Sequence, residues 1–283
     1  MNNTFNIKRF GLVLRKDFIE NRKRYTLLFL TMLGIMAIIS IYISLDYYHL
    51  LVNNGKTSKN LNIILLTILS FMFLGGGILF ASTFMTPMSS KLKRLSYLIS
   101  PSSNLEKFFS RWLIVTIGYI LSFFAAMWIM DLLRVAILTA VFPDLDIKFL
   151  DLTKLFFPTD DYISRDYLVP KIAFKGIISI YFLFQSLFLL GATFWEKASF
   201  IKTFTALFVI VLAYIMLSRW AILLSYGDFN SFGHVIDSLL GDKTDDKKDF
   251  LVKLTYAALS VFTVTNWTLA YFRVRESEII KRL

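Results

Sequence analysis

Residues 61–84 read LNIILLTILSFMFLGGGILFASTF and contain no charged side chain. A helix needs about 20 apolar residues to cross a hydrocarbon core that is roughly 30 Å thick. This stretch is long enough, and the uncharged run around it extends from 60 to 90. The sequence therefore predicts a transmembrane helix at this position.

Five further runs along the chain resemble this one. Of the 283 residues, 56% are hydrophobic and 18% are charged, whereas globular domains carry about 25% charged residues. We predict an all-α polytopic membrane protein with six transmembrane helices at 25–45, 61–84, 112–130, 176–195, 203–226 and 254–272. An N-terminal amphipathic interfacial helix at 1–24 precedes this domain, and a cytoplasmic tail at 273–283 follows it.

The composition excludes several kinds of site. Without cysteine there is no disulfide scaffold, thiol catalyst or thiolate zinc site. Two histidines, His49 and His234, are too few for a three-histidine metal site. The triplet GKT at 55–57 resembles the end of a P-loop, but Leu50 stands where that motif requires glycine. We therefore expect no catalytic residue, no metal and no cofactor bound by this chain.

Positive charge is divided unevenly between the two sides that this topology defines. The N-terminus, the second and fourth connecting loops and the C-terminal tail contain 18 of the 31 Lys and Arg residues but only 6 of the 20 acids. By the positive-inside rule, these segments and both termini are cytoplasmic. Topology and attraction to anionic lipid headgroups then explain the net charge of +11, so we expect no nucleic-acid partner.

The segment 5–24 has the pattern of an amphipathic helix. Apolar side chains recur at helical spacing, and basic residues such as Arg15 and Lys16 flank them. The apolar positions are Ile7, Phe10, Leu14 and Phe18. A helix of this kind lies in the plane of the membrane surface. Two roles fit the pattern: a basic anchor beside the first span, or a lever helix that transmits force from a soluble partner.

The loop between the second and third spans contains a short predicted helix. After the break at Pro101, Ser103 and Glu106 form a capping box that opens this helix. Its first turn is expected to expose Leu105 and Phe108 as an apolar knob ringed by charged side chains. Docking to a partner protein and anchoring at the membrane surface are both compatible with this pattern.

Two features of the spans have alternative interpretations. Gly75, Gly76 and Gly77 favour close helix packing, although three glycines in a row also permit unwinding around a substrate. The fifth span reaches full length only by continuing past Arg219. That arginine either snorkels to the interface or faces the bundle interior as a pathway or gating contact.

Charged groups are absent from the central part of every predicted span. Ion-coupled carriers usually need such groups near the midplane, so the sequence argues against secondary transport. At the outer end of the third span, Asp131 and Arg134 are three residues apart and can pair on one helical face. We expect this pair to be exposed and to contribute little to stability.

Several stretches together resemble one known family. The N-terminus FGLVLRKDFIENRKR, the loop LISPSSNLEKFFSRW, the turn ATFWEKASFIKTF and the tail YFRVRESEIIKRL follow the order and topology of an ABC-2 type permease. The resemblance covers essentially the whole chain, and it is to the short permease subunits of bacteria.

The resemblance implies a permease subunit of an ATP-driven ABC transporter, an exporter of the bacterial inner membrane. A separate ABC ATP-binding subunit would bind ATP and Mg, and a second permease chain, identical or a sister, would complete the pathway. Coupling to the ATP-binding subunit would fall to Ser103, Leu105, Glu106, Lys107 and Phe108. The connecting helix on the membrane surface would include Phe10, Leu14, Phe18, Arg15 and Lys16.

Two other classes of function fit the same residues. A non-transporting membrane scaffold or sensor would show the same sequence features, and only a test for the partner separates it from a permease. An intramembrane enzyme is less favoured, because the spans offer scattered serines and threonines without the adjacent base that nucleophilic catalysis needs. The substrate stays open between drug, peptide, lipid and ion.

Overall fold

The computed structural model describes residues 5–54, 61–86, 95, 97, 99, 101–151, 174–195, 197–226 and 245–280. Within these residues every regular element is helical, which confirms the all-α prediction for this part of the chain. In chain order the elements are α1 (Ile7–Glu20), α2 (Arg22–Asn54), α3 (Leu61–Ala81), α4 (Asn104–Leu113), a π-helical turn (Ile114–Gly118), α5 (Tyr119–Val141), α6 (Phe174–Phe194), α7 (Ser199–Tyr226) and α8 (Asp245–Ile280).

Among the described residues, five helical segments are long and apolar enough to cross a membrane. They are Arg22–Asn53, Leu61–Ala81, Asn104–Val141, Gly176–Phe194 and Ser199–Ala221. The sixth predicted span, 254–272, lies within α8. It is less apolar than the other five because polar residues such as Thr263 and Asn266 interrupt it. A sixth membrane span therefore stays a prediction.

Two clusters of buried apolar side chains hold the helices together. The first joins α2, α3 and α5 and includes Met36, Phe73 and Met130. The second lies around the end of α3 and includes Phe108 and Leu189 from α4 and α6. Between helices in lipid such contacts act by close van der Waals packing, because lipid tails are as apolar as the side chains themselves.

α3 continues as a regular helix through its three glycines. Gly76 and Gly77 lie against the rings of Tyr119 and Tyr181, and a Cβ atom at either glycine would collide with one of these tyrosines. The Tyr119 hydroxyl donates a hydrogen bond of 2.9 Å to a carbonyl of α3. This geometry is the close packing that small residues permit in membrane helices. The neighbouring Gly75 has open space beside it.

α7 packs against α6 through its first turns. Gly191 of α6 lies directly against Thr203, and the ring of Phe188 stacks on Phe200 at a centroid distance of 5.6 Å. Further along α7 most apolar side chains are exposed. Arg219 is also exposed on this helix. Its side chain therefore does not face the interior of this chain's bundle, and the gating alternative finds no support within one chain.

Asp131 and Arg134 form a buried pair at the C-terminal part of α5, so the expectation of an exposed pair is wrong. Arg134 is only 2% exposed, and its Nε donates to Asp131 Oδ1 at 2.8 Å. The guanidinium also donates to the carbonyl of Lys148 at 2.9 Å, while the Leu150 N–H donates to Asp131 Oδ2 at 2.8 Å. The chain that follows α5 folds back over the pair and covers it.

Candidate functional site

The predicted coupling residues and the predicted connecting helix lie together at one end of the bundle. α1 packs along α4, and we call these two helices the α1–α4 pair. Asn6 caps α1, since its side chain accepts hydrogen bonds from the backbone of Lys8 and Arg9. Ser103 caps α4: its hydroxyl accepts from the Glu106 N–H at 3.3 Å, and Glu106 Oε2 accepts from the Ser103 N–H at 3.0 Å. The predicted capping box is confirmed.

Glu106 does more than complete the capping box. Its carboxylate also accepts hydrogen bonds from Arg9 Nε at 2.6 Å and Arg9 Nη2 at 2.8 Å, and from the backbone N–H of Asn6 at 2.8 Å. These bonds stabilise the charged guanidinium, so the pKa of Arg9 is raised above its ordinary value. Bidentate contacts of this kind are short and directional. Glu106 therefore ties the start of α4 to the start of α1.

Two further contacts hold the α1–α4 pair together. The ring of Phe10 packs on Phe109 at a centroid distance of 5.6 Å, and Phe109 stacks on Trp112 at 5.2 Å. Two turns further along α1, Asp17 Oδ1 lies 3.5 Å from Arg111 Nη1. The two helices are thus joined at three successive levels, and displacement of α4 has to displace α1 as well.

The predicted apolar knob is only half present. Leu105 is 46% exposed, but Phe108 is 8% exposed and Glu106 is buried. Phe108 points into the bundle, where its ring contacts Phe84 at 5.3 Å and Tyr271 at 5.6 Å. It lies one turn further along α4 than Leu105, at the level where Phe84, just after α3, and Tyr271 of α8 cover the helix. The expected exposure of Phe108 and of Glu106 is therefore wrong.

The remaining predicted residues lie around the α1–α4 pair. Lys107 is buried, with its Nζ 5.0 Å from the centroid of the Tyr97 ring. Arg15 and Lys16 are exposed on α1. Of the apolar positions on α1, Phe10 and Leu14 are half-buried, whereas Ile7 and Phe18 are exposed. The structure brings Ser103, Glu106 and Phe10 into one contact region and places Gly75–Gly77 and Arg219 elsewhere.

A buried polar network in the bundle was not predicted from the sequence. It is built around the π-helical turn, where Gln185 Nε2 donates to Thr116 Oγ1 at 2.8 Å and Trp267 Nε1 donates to Gln185 Oε1 at 3.1 Å. Nearby, Asn266 Nδ2 donates to Ser186 Oγ at 3.0 Å. Uncharged polar residues inside apolar runs, such as Gln185 and Asn266, are a signal for interhelical hydrogen bonds. A search of the spans for charged side chains does not find these residues, because all of them are uncharged.

Among the described residues, no group of His, Asp or Glu side chains is arranged to hold a metal ion. The GKT triplet at 55–57 lies outside the described residues. The arrangement at the α1–α4 pair offers a mechanical connection between two helices and the bundle. In comparisons with known proteins, no protein-family model, no curated protein and no solved structure matches this chain.

Proposed function

We propose that this chain is the membrane-spanning permease subunit of an ATP-driven ABC transporter that works in export. The observation that carries the proposal is the α1–α4 pair. A short capped helix between two membrane-type helices is bonded to an N-terminal surface helix by a buried carboxylate. A connector between two spans needs no such bond. A device that passes movement from a soluble partner to the membrane helices does need one.

In this proposal the partner is a separate ABC ATP-binding subunit, which holds ATP and Mg. It docks at the start of α4, where Leu105 is exposed next to the capping box and Phe5, also exposed, adjoins Asn6 on the other side of the Glu106 carboxylate. Movement of α4 passes to α1 through Glu106 and to the bundle through Phe108, which packs against Phe84 and Tyr271.

The proposal includes a membrane arrangement. Six spans, with the sixth in α8, place both termini and the α1–α4 pair on the cytoplasmic side of a bacterial inner membrane. α1 lies at the surface, where its basic residues meet anionic lipid headgroups. A second permease chain, identical or a sister, completes the pathway, as the resemblance to ABC-2 type permeases implies.

The test is recovery of the ATP-binding subunit by affinity purification of the tagged chain from its native membrane. The unaltered chain is expected to recover a P-loop ATPase. Leu105→Ala should weaken that binding by about tenfold or more, as truncation of an interface anchor does. Leu50→Ala is the matched control: Leu50 is 40% exposed and lies near the opposite end of α2. It should recover the partner normally.

Two outcomes contradict the proposal. If the unaltered chain recovers no ATPase at normal membrane expression, a scaffold or sensor role is favoured. If Leu105→Ala and Leu50→Ala recover the partner equally well, the docking position is wrong. Phe108→Ala is not suitable for this test because Phe108 belongs to the buried core, and its truncation is expected to destabilise the whole bundle.

A further inference from the structure

A groove of about 660 Å³ opens on the outer surface of the bundle between α2, α3 and the π-helical turn. This volume lies within the ~300–1,000 Å³ that is typical of ligand pockets. Phe18 and Tyr25 stand at one end, Met32 and Leu79 form the sides, and Gly118 and Tyr119 belong to the floor. Leu79 is exposed at the edge. The groove is therefore accessible from the surface that faces lipid.

The groove presents hydrocarbon rather than hydrogen-bonding groups along its length. Four of its lining residues are serines or threonines, but each of these hydroxyls donates to a carbonyl of its own helix or turn. They are Thr31, Ser82, Thr83 and Ser122, which donate to Leu28, Leu79, Phe80 and Tyr119. A polar solute would find no free donor on these four side chains, and a peptide backbone would stay unsatisfied. An acyl chain has no hydrogen-bonding group and therefore loses no hydrogen bond in such a groove.

The end of the groove at Tyr25 is positively charged. Arg24 precedes Tyr25 on α2. The ring of Phe18 packs on Tyr25 at a centroid distance of 6.0 Å, and Asp17, beside Phe18, lies 3.5 Å from Arg111. Two guanidinium groups face one carboxylate, so one positive charge is not neutralised within this group of residues. The buried Arg111 Nε has no hydrogen-bond partner among the described residues. An anionic oxygen would supply both the charge and the acceptor.

We propose that this groove binds an anionic phospholipid, with one acyl chain along α2 and α3 and the phosphate beside Arg24 and Arg111. A sterol or a neutral lipid would leave the excess positive charge of the arginines unneutralised, and free phosphate would leave the groove empty. The proposal depends on the chain lying in a membrane and not on its acting as a permease. The lipid would stabilise the contact between α1 and the bundle, since Phe18 and Asp17 of α1 lie at the same end.

The test uses the full-length chain in nanodiscs and phosphatidylglycerol that carries a diazirine in its acyl chain. Photolysis should label peptides that contain Met32 and Met72, both in the groove. Phosphatidylglycerol should label them about fivefold more than the phosphatidylcholine analogue, the ratio that one nearby cationic side chain gives. Mass spectrometry of the digested protein measures both quantities.

Two pairs of variants locate the acyl chain and the headgroup. Gly118→Leu places a side chain in the groove, where a Cβ meets only ordinary contacts, and it should remove most of the labelling. Gly75→Leu adds the same side chain to an open position on another face of α3 and should leave the labelling unchanged. Arg24→Gln should abolish the preference for phosphatidylglycerol, whereas Lys23→Gln, at an exposed neighbour, should keep it.

Equal labelling by the two lipids, unaffected by Gly118→Leu, would overturn the proposal, because it would describe ordinary lipid contact with a helix surface. An equal loss of preference in Arg24→Gln and Lys23→Gln would also overturn it, since the effect would then be general surface charge. The result from Arg24→Gln and Lys23→Gln stays informative even if Gly118→Leu fails to fold. Thermal unfolding of each variant verifies that it is folded. Recovery of an ATP-binding subunit is a separate measurement and can fail without affecting this one.

Discussion

Ala198 lies in the turn between α6 and α7 with a backbone φ of 53°. This left-handed conformation is unfavourable for a residue with a Cβ atom and suits glycine. We predict that Ala198→Gly stabilises the folded protein by about 1 kcal/mol, because relief of the backbone strain exceeds the added flexibility of the unfolded chain. Thermal unfolding in detergent or nanodiscs should show a higher midpoint.

The control for this prediction is the same substitution within a helix. Ala221 is exposed on α7, where glycine lowers helix stability. Ala221→Gly is expected to lower the unfolding midpoint or leave it unchanged. A lower midpoint for Ala198→Gly would show that the turn is not under strain.

At the starts of α1 and α4, the ion pair of Arg9 with Glu106 joins the two helices. We predict that Arg9→Met and Glu106→Gln each increase hydrogen exchange in α1. The double variant should increase it no more than the stronger single variant, because the two side chains act on one interaction. Hydrogen exchange of the α1 amides, followed by mass spectrometry, measures the release of this helix.

Lys16 and Glu20 provide the matched comparison on the same helix. Their side chains are about half exposed and 3.7 Å apart, and exposed pairs of this kind contribute little. Lys16→Gln should therefore leave exchange in α1 unchanged. Additive effects of Arg9→Met and Glu106→Gln would mean that the pair does not hold α1 in place.

Local sequence patterns predicted the helices and the capping box, but they could not predict contacts between residues that are far apart in the chain. The capping box at Ser103 could be identified because both of its residues lie within one turn. The bond from Glu106 to Arg9 joins residues 97 positions apart, and the sequence contains nothing that pairs these two among many other charges. The burial of Phe108 depends likewise on Phe84 and Tyr271, which cover it only in the folded bundle.

At the scale of the whole molecule, the orientation in the membrane is testable because the chain contains no cysteine. Single cysteines placed in the predicted outer loops should react with a membrane-impermeant thiol reagent in intact cells, whereas one placed in the second loop should not. The outer positions are Ser58, Thr159 and Lys243, which lie outside the described residues, and the inner position is Ile99, whose side chain is exposed.

Permeabilised cells provide the control, since all four cysteines should then react. Labelling of the Ile99 position alone in intact cells would show that the orientation is the reverse of the predicted one. The α1–α4 pair would then lie on the side where no ATP-binding subunit can reach it. Labelling at position 243, together with no labelling of a cysteine placed at the C-terminus, would support the sixth span. α8 is long enough to span but carries threonines and an asparagine.

Whole-molecule architecture was the part most accessible to sequence, since an uncharged run of about 20 apolar residues rarely occurs outside a membrane span. The buried pair of Asp131 and Arg134 shows where this reasoning stops. Their spacing predicted the pairing, but the shielding comes from the backbone at Lys148 and Leu150. A segment without regular structure gives no periodic signal, so its position over the pair could not be predicted.

The π-helical turn at Ile114–Gly118 has a consequence for how this chain can change during evolution. Such a turn holds one residue more than an α-helical turn, so deletion of that residue would restore a regular α-helical turn and keep α4 and α5 close to their present relative orientation. Glu106 would then stay near Arg9 while Asp131 kept its partners. Related chains that preserve both pairs can therefore show a single-residue gap within positions 114–118, whereas a gap in the regular α-helix on either side would rotate α4 by about 100° relative to Asp131.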